Sequence, residues 1–284
     1  MTAALDTRAV QRAALGQHDL KVRHMKFDLS DDIPEYWYDN DPFKTLLLSA
    51  MSGGFPEGER FFIDSVRHFR DRLTDPALKE AVRAFIGQEG HHSREHGLLN
   101  DFLVRRGLPI DVIDRNVGAF MRFMKKRFSP ERQLAHTVAV EHFTAILAEG
   151  FLLPGSELEK MDPRMAKLWA WHAVEEAEHK AVAFDVYKQT VDDEWLRLSE
   201  MAMVTVLFLG FTAVDLVRLL QTRGLASSPR LWLKAVNEMW GVPGHFRKLI
   251  PSYLAFYRRD FHPDQIDASA ALARVKARYL GDQA

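Results

Sequence analysis

Two stretches decide how this chain is read: Gln88-Glu89-Gly90-His91-His92-Ser93-Arg94-Glu95-His96 and Trp171-His172-Ala173-Val174-Glu175-Glu176-Ala177-Glu178-His179-Lys180. Each holds a Glu-x-x-His pair, Glu89 with His92 and Glu176 with His179. Residues three apart on an α-helix sit about 60° round from each other and about 4.5 Å along the axis, so a carboxylate and an imidazole at that spacing can converge on one metal ion. Both pairs lie on apolar stripes. Counting back from Glu89 by helical spacing gives Ile86, Phe85 and Val82, and from Glu176 it gives Ala173, His172 and Trp169. Ionisable groups facing a core are costly unless they are paired or metal-bound.

Two more carboxylates break an apolar stripe in the same way. Glu59 is aligned with Phe62, Ile63 and Val66, and Glu141 with Leu134, Val138, Ala145 and Ala148. Each precedes one Glu-x-x-His pair, at a distance that suits an antiparallel helix pair. The chain order is Glu, Glu-x-x-His, Glu, Glu-x-x-His, the ligand set of carboxylate-bridged dinuclear sites in four-helix bundles.

The punctuation is helical throughout. Asp41-Pro42, Asp75-Pro76, Ser129-Pro130, Asp162-Pro163 and Ser228-Pro229 each place proline after a capping residue, where its missing N–H costs nothing. Stops are expected at Gly53-Gly54, Arg106-Gly107, Leu153-Pro154-Gly155 and Arg223-Gly224. Strand-like alternation bounded by hairpin turns is absent. The pattern predicts an all-α chain with helices over 42–51, 56–73, 76–105, 110–127, 130–151, 163–189 and 193–223, then shorter ones over 229–239, 245–257 and 263–280. Helices 56–73, 76–105, 130–151 and 163–189 are long enough for an antiparallel bundle, with 110–127 as a long crossover between its halves. The expected organisation is an N-terminal segment 1–40, a metal-binding bundle 41–225 and a helical C-terminal extension 226–284 packed on the bundle.

Composition narrows the function. The 284 residues carry 38 Lys+Arg against 39 Asp+Glu, so no basic footprint for nucleic acid exists. With no cysteine there is no disulfide framework, zinc ribbon, iron–sulfur cluster or thiolate nucleophile, and any metal must be held by nitrogen and oxygen. Met1 to Leu20 lacks the apolar run of a signal peptide, and a cytoplasmic location is the default. The apolar stretch Met201 to Val214 is shorter than the ~18 residues of a membrane span and reads as a core helix; a wall for a greasy substrate, a partner helix or contact with a membrane surface are its alternatives.

These segments give the chain a resemblance to the ferritin-like di-iron carboxylate proteins. Phe55-Pro56 through Phe62, Gln88 through His96, Glu141-His142 and Trp171 through Lys180 make most of the chain similar to a bacterial family labelled predicted metal-dependent hydrolase. The resemblance implies a ferritin-like four-helix bundle holding two metal ions through Glu59, Glu89, His92, Glu141, Glu176 and His179. His172, one turn before Glu176 on the same face, resembles the extra histidine of the p-aminobenzoate N-oxygenase family, which makes it a candidate seventh ligand; the alternative is a buried supporting residue. His96 is expected to orient a ligand by a hydrogen bond, as Asp185, Glu95 or Glu149 could. Glu175 and Glu178 compete with Glu176 for its register, and Glu176 is preferred because histidines flank it at −4 and +3. His91 and His142 point away from the site.

On this reading the chain is expected to be a non-haem di-iron oxidoreductase or oxygenase that activates O2 against a small hydrophobic organic substrate. Two iron ions are the expected cofactor, with manganese or zinc as alternatives. Lacking both cysteine and a nucleotide-binding glycine motif, it would draw electrons from an external reductase. The alternative is a metal-dependent hydrolase with a dinuclear metal centre; iron storage is a third reading. A homodimer fits either enzyme.

Overall fold

The computed structural model describes residues 20–152, 157–242 and 244–283; the expected stop at Leu153-Pro154-Gly155 and residues 1–19 of the segment 1–40 lie outside them. Among the described residues there is no β-strand, only a single antiparallel bridge between Tyr38 and Met161. The fold is all-α, as expected. Its helices are α1 (Pro42–Phe69), α2 (Pro76–Arg105), α3 (Ile110–Arg127), α4 (Pro130–Leu152), α5 (Pro163–His179), α6 (Val182–Thr190), α7 (Glu194–Thr222), α8 (Pro229–Trp240), α9 (His245–Ala255) and α10 (Ser269–Val275). All five cap-and-proline signals start a helix: Asp41, Asp75, Ser129, Asp162 and Ser228 each accept a hydrogen bond from an amide of the first turn.

Four of these helices surround the site as antiparallel neighbours. Ser52 meets Asn100 while Pro56 meets Ser93, so α1 and α2 run in opposite directions. His96 meets His172 while Gln88 meets His179, which opposes α2 and α5. Glu141 lies beside His179 while the Phe151 ring lies 6.3 Å from that of Trp169, which opposes α4 and α5. Ser65 bonds Thr137 while Phe55 and Thr144 line one cavity, which opposes α1 and α4. The crossover α3 carries the chain from the end of α2 to the start of α4 along the side of α1.

The helix α1 corrects the sequence reading, which divided it into 42–51 and 56–73 at Gly53-Gly54. It runs unbroken through both glycines and Pro56. The glycines serve packing: a Cβ on Gly53 would lie 3.0 Å from Ile113 Cγ2, so the small residue lets α3 approach. Pro56 has no N–H for the carbonyl four residues back, Ser52 O. That carbonyl instead accepts Asn100 Nδ2 at 3.0 Å, and Pro56 O accepts Ser93 Oγ at 3.0 Å. The interruption is thus repaired by α2 without ending the helix.

Two other elements differ. The predicted helix 163–189 breaks after His179 into α5 and α6, where buried Lys180 turns its ammonium to Ile266 O at 2.5 Å and Glu149 at 3.4 Å. The predicted 263–280 becomes a 3-10 turn at Pro263–Gln265, then α10 and a π-turn over Lys276–Leu280 that packs on α5.

The expected core helix at 201–214 is also different in kind. It forms the middle of α7, whose best window has a mean hydropathy of 2.0 yet is only 28% buried. By length and composition alone α7 could cross a membrane. One face packs on α1 and α4, and Val206, Leu209 and Val214 point outward.

Candidate metal centre

The seven residues singled out by the sequence, Glu59, Glu89, His92, Glu141, His172, Glu176 and His179, come together at the middle of the four helices, and all are buried. Their donor atoms form three overlapping groups, each within 4.8 Å: Glu59, His92 and His172; Glu89, His92 and Glu176; Glu89, Glu141 and His179. Glu176 is the hub. Its Oε1 lies 3.4 Å from His92 Nδ1, 3.5 Å from His172 Nε2 and 3.6 Å from His179 Nε2. His179 Nε2 also approaches Glu89 Oε1 at 3.1 Å and Glu141 Oε2 at 3.5 Å.

Each histidine turns one ring nitrogen to the cluster and has a polar side chain near the other; for His172 and His179 that contact is a hydrogen bond, and for His92 it is an ion-pair contact without hydrogen-bond geometry. His92 Nε2 lies 3.2 Å from Glu175 Oε2, His179 Nδ1 lies 3.0 Å from Gln88 Oε1, and His172 Nδ1 lies 2.9 Å from His96 Nε2. Such outer partners fix ring orientation and ligand basicity at metal sites. His96 makes its hydrogen bond to His172, the candidate seventh donor.

The tautomers along that last contact follow from donor bookkeeping. Asn100 Nδ2 donates to Ser52 O, which leaves Asn100 Oδ1 to accept the Ser52 hydroxyl at 2.8 Å. With its only proton committed, Ser52 Oγ accepts from His96 Nδ1 at 2.9 Å. His96, kept neutral because burial and the nearby His172 hold its pKa well below the usual value, then has a lone pair at Nε2. His172 Nδ1 must be the donor to it, and His172 Nε2 faces the cluster as an acceptor. Burial, with His92 beside it, pushes the His172 pKa down to about 3, so that acceptor stays unprotonated.

The carboxylates carry more charge than the site can balance. Burial, then the neighbouring Glu89, raises the pKa of both Glu59 and Glu141 well above the carboxylate range, and burial raises Glu89 as well. Glu176 goes the other way: burial opposes its charge, but His179, His92 and His172 outweigh it. His92 and His179 are raised against burial, His92 chiefly by Glu175 and Glu176, His179 by Glu176 and Glu89. Both oxygens of Glu59, Glu89 and Glu141, Glu176 Oε2, His92 Nδ1 and His179 Nε2 are buried without a hydrogen-bond partner. Orphaned polar atoms are rare in folded proteins and call for an explanation. A first-row transition-metal cation that takes both carboxylate oxygen and imidazole nitrogen fits this donor set.

The family described as "Predicted metal-dependent hydrolase" matches residues 21–267. The chain belongs to it. The matched span includes all seven donors and the three residues that back the histidines. No curated protein and no solved structure matches the chain.

Some supporting residues of this metal-dependent hydrolase family member escaped the sequence reading. The candidates Asp185, Glu95 and Glu149 are engaged elsewhere: Asp185 with His262, Glu149 with Lys180 and Glu95 with Arg94. Gln88 and Glu175 fill the supporting role instead. Each stands directly before a donor glutamate, so helical spacing turns it about 100° off the donor face. Behind them lies Arg23, buried, whose guanidinium meets Glu175 at 3.3 Å and Glu178 at 2.7 Å. Nothing near Arg23 in sequence signals this. His142 packs away from the site, with Nε2 near Ser252 O at 3.1 Å, and His91 faces His24, as expected of residues off the donor face.

Proposed function

We propose that this chain is a metal-dependent hydrolase whose centre holds two metal ions between Glu59, Glu89, His92, Glu141, His172, Glu176 and His179. The observation that carries this reading is the set of orphaned buried carboxylate and imidazole atoms aimed at one point. The family description supports the reaction class. The order of the four donor segments and the antiparallel arrangement of α1, α2, α4 and α5 support a ferritin-like bundle. Glu59, His92 and His172 stand at one end of the cluster and Glu141 and His179 at the other; Glu89 reaches His92 and His179, Glu176 reaches His172 and His179, and both would be shared.

Bound there, the metals would supply Lewis-acid activation of a substrate oxygen and of water. The chain's own part is to exclude bulk solvent, to hold the histidine lone pairs inward, and to surrender the protons that burial places on Glu59 and Glu141. Those protons leave when a cation arrives, so metal uptake releases acid.

A second reading, an O2-activating di-iron oxidoreductase acting with an external reductase, is favoured by the mixture of four carboxylates with three imidazoles. The two are separated by reconstituting the chain anaerobically with zinc, manganese or ferrous iron. The hydrolase reading expects two ions per chain and hydrolysis of p-nitrophenyl butyrate or bis-p-nitrophenyl phosphate without oxygen. The oxidoreductase reading expects no hydrolysis and oxygen consumption by the ferrous form alone. Failure to retain metal sinks both.

A further inference from the structure

One end of the candidate metal site borders a cavity of about 120 Å³ lined by α1, α3, α4 and α7. Glu59, His172 and Glu176 line it at that end. Its walls are apolar: Val117 and Met121 from α3, Leu207 and Phe208 from α7, Phe62 and Val140 from α1 and α4. No lysine or arginine is among its lining residues, and the other titratable groups there are His136 and Asp215. Asp215 is already engaged by Arg218. A phosphate or carboxylate head group would therefore find no cationic partner in the walls. At the outer edge the rings of Phe120 and Phe211 meet at 5.4 Å across the gap between α3 and α7, and Phe211 is 43% exposed. The lining residues on α7 run from Val204 to Asp215, about 16 Å at about 1.5 Å per residue. Met51 and Met121 on opposite sides can adjust to an irregular apolar body.

We propose that this cavity binds an uncharged organic substrate with an extended alkyl body, admitted past Phe120 and Phe211, with its reacting end at Glu59, His172 and Glu176. The proposal deepens the hydrolase reading and rests on it for which end reacts. Under that reading the substrate is a neutral ester or amide of a chain-bearing acid or alcohol.

Straight-chain alcohols from butanol to octanol test the cavity without turnover, by calorimetric titration of the full chain, metal-loaded and metal-free. Affinity is expected to rise about fourfold per added methylene. Val117→Phe and Leu207→Trp fill the cavity from two different helices and should each weaken octanol at least tenfold and flatten the series, with metal content unchanged. Val206→Glu, on the outward face of α7, should leave the series intact. A series that is flat in the unaltered chain, or one abolished by Val206→Glu and not by the filling variants, overturns the proposal. If the series and its loss in the filling variants persist while no metal binds, the cavity stands and the metal reading alone fails. If metal binds and the series is flat, only the cavity proposal fails.

Discussion

Arg23 Nη1 lies 3.3 Å from Glu175 Oε1 across 152 residues of sequence, and both side chains are buried. The other oxygen of Glu175 lies 3.2 Å from His92 Nε2. The same guanidinium holds Glu178, whose Oε2 accepts from Gln88 Nε2 at 3.2 Å, and Gln88 backs His179. One arginine from the segment before α1 thus stands behind two of the three histidines.

Removing that arginine should loosen the site without touching a donor. Arg23→Ala strands a buried carboxylate, which costs about 3–5 kcal/mol of stability. Losing an outer-shell partner also weakens metal affinity by about 10- to 100-fold. Arg23→Lys keeps the charge but loses the fork that spans Glu175 and Glu178, and should fall between. Chelator competition beside urea unfolding checks both quantities. Unchanged metal affinity in Arg23→Ala would remove Arg23 from the support of the site.

Glu59 and Glu141 offer a test with opposite signs for the empty and loaded protein. Burial penalises their charged forms, so Glu59→Gln should raise the melting temperature of the metal-free chain. It should also abolish the gain on adding metal, which for the unaltered chain is about 2.7 kcal/mol at a metal concentration 100-fold above Kd. Glu59→Ala and Glu141→Ala are expected to lose metal with helical content kept. Full metal stoichiometry in these variants would strike the residue from the donor set.

The repair of α1 by α2 predicts non-additivity. Asn100→Ala leaves Ser52 O without its donor and should cost about 1–3 kcal/mol. Pro56→Ala restores an N–H four residues after Ser52, so the Asn100→Ala penalty should shrink in its presence. A double-mutant cycle by urea unfolding measures this coupling. Equal penalties in both backgrounds would show that the freed carbonyl is not what Asn100 serves.

The pairing of His262 with Asp185 at 2.8 Å ties the chain after α9 to α6. Burial lowers the His262 pKa, but Asp185 outweighs it and the net shift is upward. A raised histidine contributes fully below its ordinary pKa of about 6.5 and loses that contribution as pH rises through the folded value. The stability difference between the unaltered chain and His262→Asn should therefore be largest near pH 6 and shrink above neutrality. A difference that grows with pH would contradict the pairing.

The all-α class and the meeting of the seven donors were legible because both rest on local periodicity. Glu59, Glu89, Glu141 and Glu176 each interrupt an apolar stripe, and a stripe says which way a side chain faces. The continuity of α1 was hidden because its rescue comes from Asn100 and Ser93 on another helix, while Gly53-Gly54 and Pro56 are local signs of an end. Gln88 gives no sign of its role, and Glu175 reads only as a rival to Glu176 for the donor register, because both sit off the stripe and their place is set by residues of other helices and segments. The open face of α7 was misread because an apolar run carries no record of what lies against it.

The convergence of four helices on one point has a consequence for the unfolded chain. With no cysteine in the sequence, no disulfide can close a loop. Two metals bound between Glu59 and His179 would fasten four helices at once, but only after folding has brought them together, so they would hold the folded state and leave the unfolded chain unrestrained. The fastening would lie at the centre of the bundle, so a chelator should release the interior first and leave the helix ends joined by their turns.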